Sequence, residues 1–333
     1  MTCSAFISLA AGRMSSLGRA SSGFSTLAIL LLILSTRSFA QFSYAPINVP
    51  GAIAAEARGI NNNGEIVGFY KIAACTDYDI KVPSCPVKGF KYVNGSYIKL
   101  MVPNSTSTAI MGVNDLGDLV GFYKKSDGSQ HGFIWYHTNV VKTIDNPSSR
   151  LVTVPFGINK AGTVVGGLWT TGSTGTFAEG GWVWVNGTFS NMNPSQSGAA
   201  APCCWSVNGI ANSGVIVGQV FQADFNQAWF KQGTDQDFFM QFASGLNGGD
   251  TFAMGVNSGA DIVGYGSEGW FAKSTESNEG TSDATETKPS FITVKYPNSQ
   301  FTIPFGVNNL RGVVGTYTDS SGKQHGFMAK ANF

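Results

Sequence analysis

The sequence predicts an all-β fold: a six-bladed β-propeller of four-stranded blades, with an N-terminal strand closing the ring onto the last blade. Three observations carry this. A ten-residue phrase, Gly-(Ile/Val)-Asn-x-x-Gly-x-(aliphatic)-Val-Gly, recurs six times, starting at Gly59, Gly112, Gly157, Gly209, Gly255 and Gly306. Two further strand-like segments follow in each unit, giving four strands per repeat of about 49 residues, the size of a propeller blade. The ends of the repeat region are also complementary: the last unit stops after its third strand, and Phe42–Val49 before Pro50 reads as a fourth one.

The chain opens with a leader. Residues 27–34 are eight consecutive apolar residues, enough for a signal-peptide core and too few to span a bilayer. Arg13 and Arg19 precede them, no acidic residue occurs before Glu56, and Ser38-Phe39-Ala40 offers a small-residue cleavage site before Gln41. Residues 1–40 are therefore expected to be a signal peptide, with Met14 as an alternative start, and 41–333 a single propeller domain. No later segment has the length and apolarity of a membrane span. The whole chain carries a net charge of +1, and loss of Arg13, Arg19 and Arg37 leaves the mature part near −2. Neither value provides the basic surface that nucleic acid or an anionic membrane requires.

The phrase has a physical reading. Asn-x-x-Gly between apolar runs suits a tight hairpin turn in which Asn caps the turn and Gly accepts a left-handed backbone. In the fourth copy Ala211 replaces the Asn; in the fifth and sixth the inner glycine moves, to Gly259 and Gly312. The final glycine is present in every copy, and a close approach by a neighbouring sheet is the expected reason. The third strand carries a small residue and an aromatic: Gly89-Phe90, Gly132-Phe133, Gly181-Trp182, Ala228-Trp229, Gly269-Trp270 and Gly326-Phe327. The glycine doublets do not share one register, which argues against a kelch unit. An open solenoid, the rival architecture, would need capping repeats.

Copies Gly112–Trp135 and Gly306–Met328 continue into His-Gly-Phe. Phrase plus His-Gly-Phe resembles the extracellular HAF-type repeat family, named for a His-Ala-Phe signature; here Gly132 and Gly326 stand in place of the signature Ala, and four copies lack the His. The resemblance implies a secreted bacterial repeat protein with a propeller fold, and it transfers no catalytic residue.

Cys75, Cys85, Cys203 and Cys204 remain after leader removal, an even number that in an exported chain favours disulfides. Three pairings are open; Cys75 with Cys85 would close an enlarged loop of blade one, leaving Cys203 and Cys204 as a vicinal pair. Residues 273–290 are polar and nearly devoid of apolar side chains, which predicts a disordered insertion.

A search for reactive chemistry returns little. The only histidines are His131, His137 and His325, and no Gly-x-Ser-x-Gly elbow occurs. Asn61–Glu65 and Asn114–Asp118 imitate part of a calcium loop but already read as turns. Asp77/Asp79 and Asp235/Asp237 are same-face pairs in loop-like stretches, and Ser126-Asp127-Gly128 lacks the spacing of a sialidase Asp-box. No metal, cofactor or catalytic residue is therefore assigned. The most informative residues are Tyr70, Tyr123 and Tyr317, each two places after the final glycine, on blades one, two and six. His131 and His325 fall on blades two and six. In a six-bladed ring these blades are contiguous, so the five side chains are candidate ligand contacts; the plainer reading packs the tyrosine rings between blades with their hydroxyls reaching water. The expected function is a secreted, monomeric, non-catalytic binding or scaffold module for a glycan or protein. A carbohydrate-active enzyme and a purely structural surface protein are the alternatives.

Overall fold

Six inner strands face one another around an axis, and glycine determines how closely they meet. The computed structural model describes residues 41–73, 86–147, 152–172, 175–192, 204–221, 226–231, 238–239, 250–274 and 291–333, all within one compact unit, Ala40–Phe333. The leader, Cys75, Cys85, Cys203, the two aspartate pairs and residues 275–290 of the polar insertion lie outside these residues, and with them the disulfide pairings. Cys204 begins the inner strand of blade four.

Among the described residues every strand belongs to one of six four-stranded antiparallel sheets. The inner strands are Ala54–Ile60, Ser107–Val113, Val152–Ile158, Cys204–Ile210, Phe252–Val256 and Phe301–Val307. Each lies against the next, and that of blade six lies against that of blade one, so the ring closes. Blades one to five use four consecutive strands. Blade six takes its outer strand from the start of the described chain: Phe42–Ile47 pairs antiparallel with Gln324–Ala331, from Phe42 opposite Ala331 to Ile47 opposite Gly326. This is the closure the sequence predicts.

The first glycine of each phrase sits where the blades converge. A Cβ on Gly59 would lie 3.1 Å from the Cα of Gly112, and one on Gly112 would lie 2.8 Å from the carbonyl oxygen of Phe156. The relation continues through Gly157, Gly209 and Gly255 and returns from Gly306 to Gly59, at 3.4 Å. The final glycine answers to a different obstacle than the one expected. Its missing Cβ would strike the carbonyl oxygen of the inner strand of its own blade: Glu56 for Gly68, Ala109 for Gly121, Phe252 for Gly264 and Ile303 for Gly315. The third-strand aromatic stands directly opposite it, as Phe90 does to Gly68 and Trp182 to Gly166. Close contact with the neighbouring sheet thus belongs to the first glycine, and close contact within the blade to the last.

A β-bulge links the two. In every inner strand the register skips one residue: Arg58, Met111, Phe156, Asn208, Met254 and Phe305 have no partner in the second strand. The bulge re-aims these residues, and all six line the axial cavity. The third-strand aromatics Phe90, Phe133, Trp182, Trp229, Trp270 and Phe327 are buried, and each joins a cluster shared with an adjacent blade.

The phrase turn survives the displaced glycines. The left-handed position is held by Gly64, Gly117, Gly162 and Gly214, then by Ala260 at φ 58° and Arg311 at φ 56°. A non-glycine residue there carries a steric penalty of roughly 1 kcal/mol. Ala260→Gly is therefore expected to stabilise the protein by about 1 kcal/mol in denaturant unfolding. Gly255→Ala, whose Cβ would meet the Phe305 carbonyl oxygen at 2.5 Å, is expected to destabilise it by about 1–3 kcal/mol, whereas Gly180→Ala, with open space around it, should be close to neutral.

Candidate functional site

The axis offers little room. The cavity between the inner strands has a volume of about 80 Å³, against roughly 300–1,000 Å³ for sites that enclose a small molecule. On the side of the phrase turns the axis is tied across by polar groups. Asp115 accepts from the backbone N–H of Asn62 at 2.9 Å, from Asn62 Nδ2 at 2.8 Å and from Asn212 Nδ2 at 2.8 Å. Burial pushes the Asp115 carboxyl up, but these hydrogen bonds and nearby Lys160 outweigh it and hold the group below its ordinary value. The two calcium-like loops are hairpin turns whose leading asparagine oxygens are occupied: Asn61 Oδ1 accepts from the N–H of Asn63 and Glu65, and Asn114 Oδ1 from those of Leu116 and Asp118. At the bulge level, Arg58 pairs with Glu56 at 2.5 Å and its guanidinium lies 3.8 Å from the centre of the Phe305 ring.

The opposite face, where second strands turn into third strands, holds Tyr70, Tyr123, Tyr317, His131 and His325. Tyr123 is directly opposite His131 and Tyr317 directly opposite His325, so each pair shares one side of its blade. Ring centroids are 5.3 Å apart in blade two and 5.0 Å in blade six. Tyr70 stands opposite Lys88. The three tyrosines are not brought into mutual contact. Tyr70 is buried in a cluster with Ile47 and Val314 at the junction of blades six and one, and Tyr123 in one with Val67 and Ile110 at the junction of one and two. Tyr123 exchanges a 2.9 Å hydrogen bond with Thr143 Oγ1. Tyr317 stacks on Tyr296 of the preceding blade, 3.7 Å between centroids and 4° between planes. Burial, then the hydrogen bond and proximity of Tyr296, push its phenol up to about 12.

Each histidine is held by an aspartate that sequence reasoning did not assign. In blade six, Asp319 Oδ1 accepts from Ser321 Oγ at 2.6 Å, Ser321 N–H at 2.9 Å and Lys323 N–H at 3.0 Å, while Oδ2 meets His325 Nε2 at 2.8 Å. The Ser321 hydroxyl and His325, then the Lys323 amide, hold this carboxyl far below the usual range. In blade two, Asp127 Oδ1 accepts from Ser129 Oγ at 2.6 Å, Ser129 Oγ lies 2.9 Å from His131 Nε2, and His131 Nδ1 lies 2.7 Å from Asp145 Oδ2. The Asp145 carboxylate also accepts from the Gly132 N–H at 3.1 Å.

Ser129–His131–Asp145 has the order of a nucleophilic triad, but Ser129 has one hydroxyl proton and Asp127 takes it. The Ser129 hydroxyl thus directs its proton at the Asp127 carboxylate and not at the imidazole. In blade six the equivalent Ser321 does not touch His325 among its hydrogen bonds. The arrangement orients two imidazoles beside two tyrosines. Asp-x-Ser upstream of His-Gly-Phe, as in Asp127-Gly-Ser129 and Asp319-Ser-Ser321, is the sequence signal that marks it.

No protein-family model matches the chain, and no curated protein matches it. Among solved structures, the Aleuria aurantia fungal lectin, described as a six-bladed β-propeller with a fucose-recognition mode, is similar at 10% identity and TM-score 0.48, over 85% of this chain and 93% of that one. AofleA from Arthrobotrys oligospora is similar at 9% identity and TM-score 0.48, over 89% and 88%. The virginiamycin B lyase from Staphylococcus aureus is similar at 9% identity and TM-score 0.40, over 87% and 98%. The propeller assignment rests on the sheet order and the closed ring described above.

The raised Tyr317 phenol has a pH signature. A folded-state value above the unfolded one contributes stability that is complete below about pH 10 and is lost as pH climbs towards about 12. Between pH 10 and 12 the wild-type melting temperature is expected to fall more steeply than that of Tyr317→Phe; parallel curves would contradict the assignment.

Proposed function

We propose that the chain is a secreted, non-catalytic binding module whose ligand, a glycan or an extracellular protein, docks on the face carrying the second-to-third-strand turns of blades six, one and two. The observation that carries this reading is a tyrosine directly opposite a histidine at the same register in blades two and six, with His131 oriented through Nδ1 by Asp145 and His325 through Nε2 by Asp319. Such groups combine hydrogen-bonding tips with ring surface, the chemistry that polyhydroxylated ligands require. The narrow axis adds support, since a ligand of ordinary size must use the face. Tyr70, Tyr123, Tyr317, His131 and His325 are the proposed contacts. The leader at 1–40 supports export, and the phrase with His-Gly-Phe supports membership of the HAF-type repeats. The proposed state is a monomer without metal or cofactor.

A glycan-array screen of the full chain tests the reading, with Tyr70→Phe/Tyr123→Phe/Tyr317→Phe as the comparison. Loss of the three hydroxyls is expected to weaken binding at least tenfold while circular dichroism stays unchanged. Undiminished binding by the folded triple variant would remove these residues from the site. No reducing sugar should be released from any bound glycan, and release at a catalytic rate would overturn the non-catalytic assignment.

A further inference from the structure

The repeats permit an internal comparison. In blades one, two, five and six, the residue before the Gly-aromatic pair of the third strand faces a residue on the outer edge, two before a proline. In blade two this pair is His131 with Asp145, an ion pair at 2.7 Å. In blade five it is Glu268 with Lys295, at 3.2 Å. In blade one the register places Lys88 beside Met101, one step beyond Gly89 opposite Leu100. In blade six it places His325 beside Asn48, one step beyond Gly326 opposite Ile47. Blades two and five therefore hold an acid and a base together, whereas the adjacent blades six and one each hold a base facing a neutral side chain. The corresponding outer residues of blades three and four, 193 and 241, lie outside the described residues.

The two bases are available. Lys88 is half-buried and, among the described residues, makes no side-chain hydrogen bond or ion pair. His325 spends Nε2 on Asp319, leaving Nδ1, the nitrogen that His131 uses towards Asp145, without a partner among the described residues. Asp319 itself already receives four hydrogen bonds. Beside His325 stand the stacked rings of Tyr317 and Tyr296, with Tyr44 of the closing strand edge-on to Tyr296. A basic nitrogen next to such rings suits a sugar that carries an acid group.

We propose that blades six and one bind the carboxylates of an acidic polysaccharide, a ligand carboxylate at His325 Nδ1 and another at Lys88 Nζ each taking the place that Asp145 fills for His131 in blade two. The proposal rests on the binding-module reading and adds the ligand's charge. A chain with repeated carboxylates could engage both blades at once, which raises the apparent affinity through effective concentration.

The test uses the full chain with oligogalacturonate, its methyl-esterified form and poly-glutamate as probes in titration calorimetry. Oligogalacturonate is expected to bind, and the esterified form to bind at least tenfold more weakly. Asn48→Asp/Met101→Glu supplies both blades with an internal carboxylate, as in blade two. It is expected to lower oligogalacturonate affinity at least tenfold without lowering the melting temperature. Equal binding of charged and esterified forms, or undiminished binding by a folded double variant, would overturn the carboxylate assignment while leaving the binding-module reading intact. Equal binding of poly-glutamate would reassign the site to acidic peptides. Failure of oligogalacturonate alongside hits on neutral glycans would overturn only the present inference; failure of every glycan and protein probe would overturn the binding-module reading too.

Discussion

The contact on which the rest of this protein depends is the backbone-to-backbone approach of six glycines at the axis. Gly59, Gly112, Gly157, Gly209, Gly255 and Gly306 form a closed circuit in which the space for a side chain is occupied by the next blade. No other residue lets the inner strands come this close. Beside the circuit sits a second device. Asn61 Nδ2 donates to the carbonyl of Asn114 in the next blade and to its own Glu65, while its Oδ1 accepts two N–H groups of its own turn. Asn114 repeats this with Asn159 and Asp118, and Asn257 with Asn308 and Asp261. Each of these amides thereby satisfies its full hydrogen-bonding capacity in a buried setting. Asn308 donates to the carbonyl of Asn61, so the last blade is tied to the first by the same bond that ties one to two, two to three and five to six.

This division of labour explains where the chain can vary. The axis and the phrase turns are committed to closure, and the narrow cavity follows from them. The low charge content follows as well, because strands buried between blades leave few side chains in water. The opposite face also differs from blade to blade. There His131–Asp145, Glu268–Lys295, Lys88 beside Met101 and His325 beside Asn48 occupy one structural position with four different chemistries.

Much of this was legible in the residues. The spacing of the phrase reveals blade number, strand order and ring closure, because a turn asparagine and its glycine report backbone conformation locally. The reason for the final glycine was not legible: Gly68 and Gly59 look alike in sequence, and only the bulge at Arg58 decides which meets the next blade. Likewise a displaced glycine in copies five and six suggests an altered turn, yet Ala260 and Arg311 hold the left-handed position. Arg311 is retained there by Asp261 Oδ2 at 2.9 Å, a contact made with another blade. For the candidate site, the tyrosines and histidines stood out by repetition. Asp145 did not, because it lies 14 residues beyond His131 and only strand pairing brings the two together.

If axial closure governs the fold, weakening it at one blade should be felt by the whole ring. Thermal unfolding of Asn308→Ala tests this most directly, since that substitution removes the bond to Asn61 and two turn hydrogen bonds from a buried site. The expected loss is about 1–3 kcal/mol, seen as one cooperative transition shifted downward by several degrees. An unchanged midpoint, or a separate early transition confined to blade six, would contradict it.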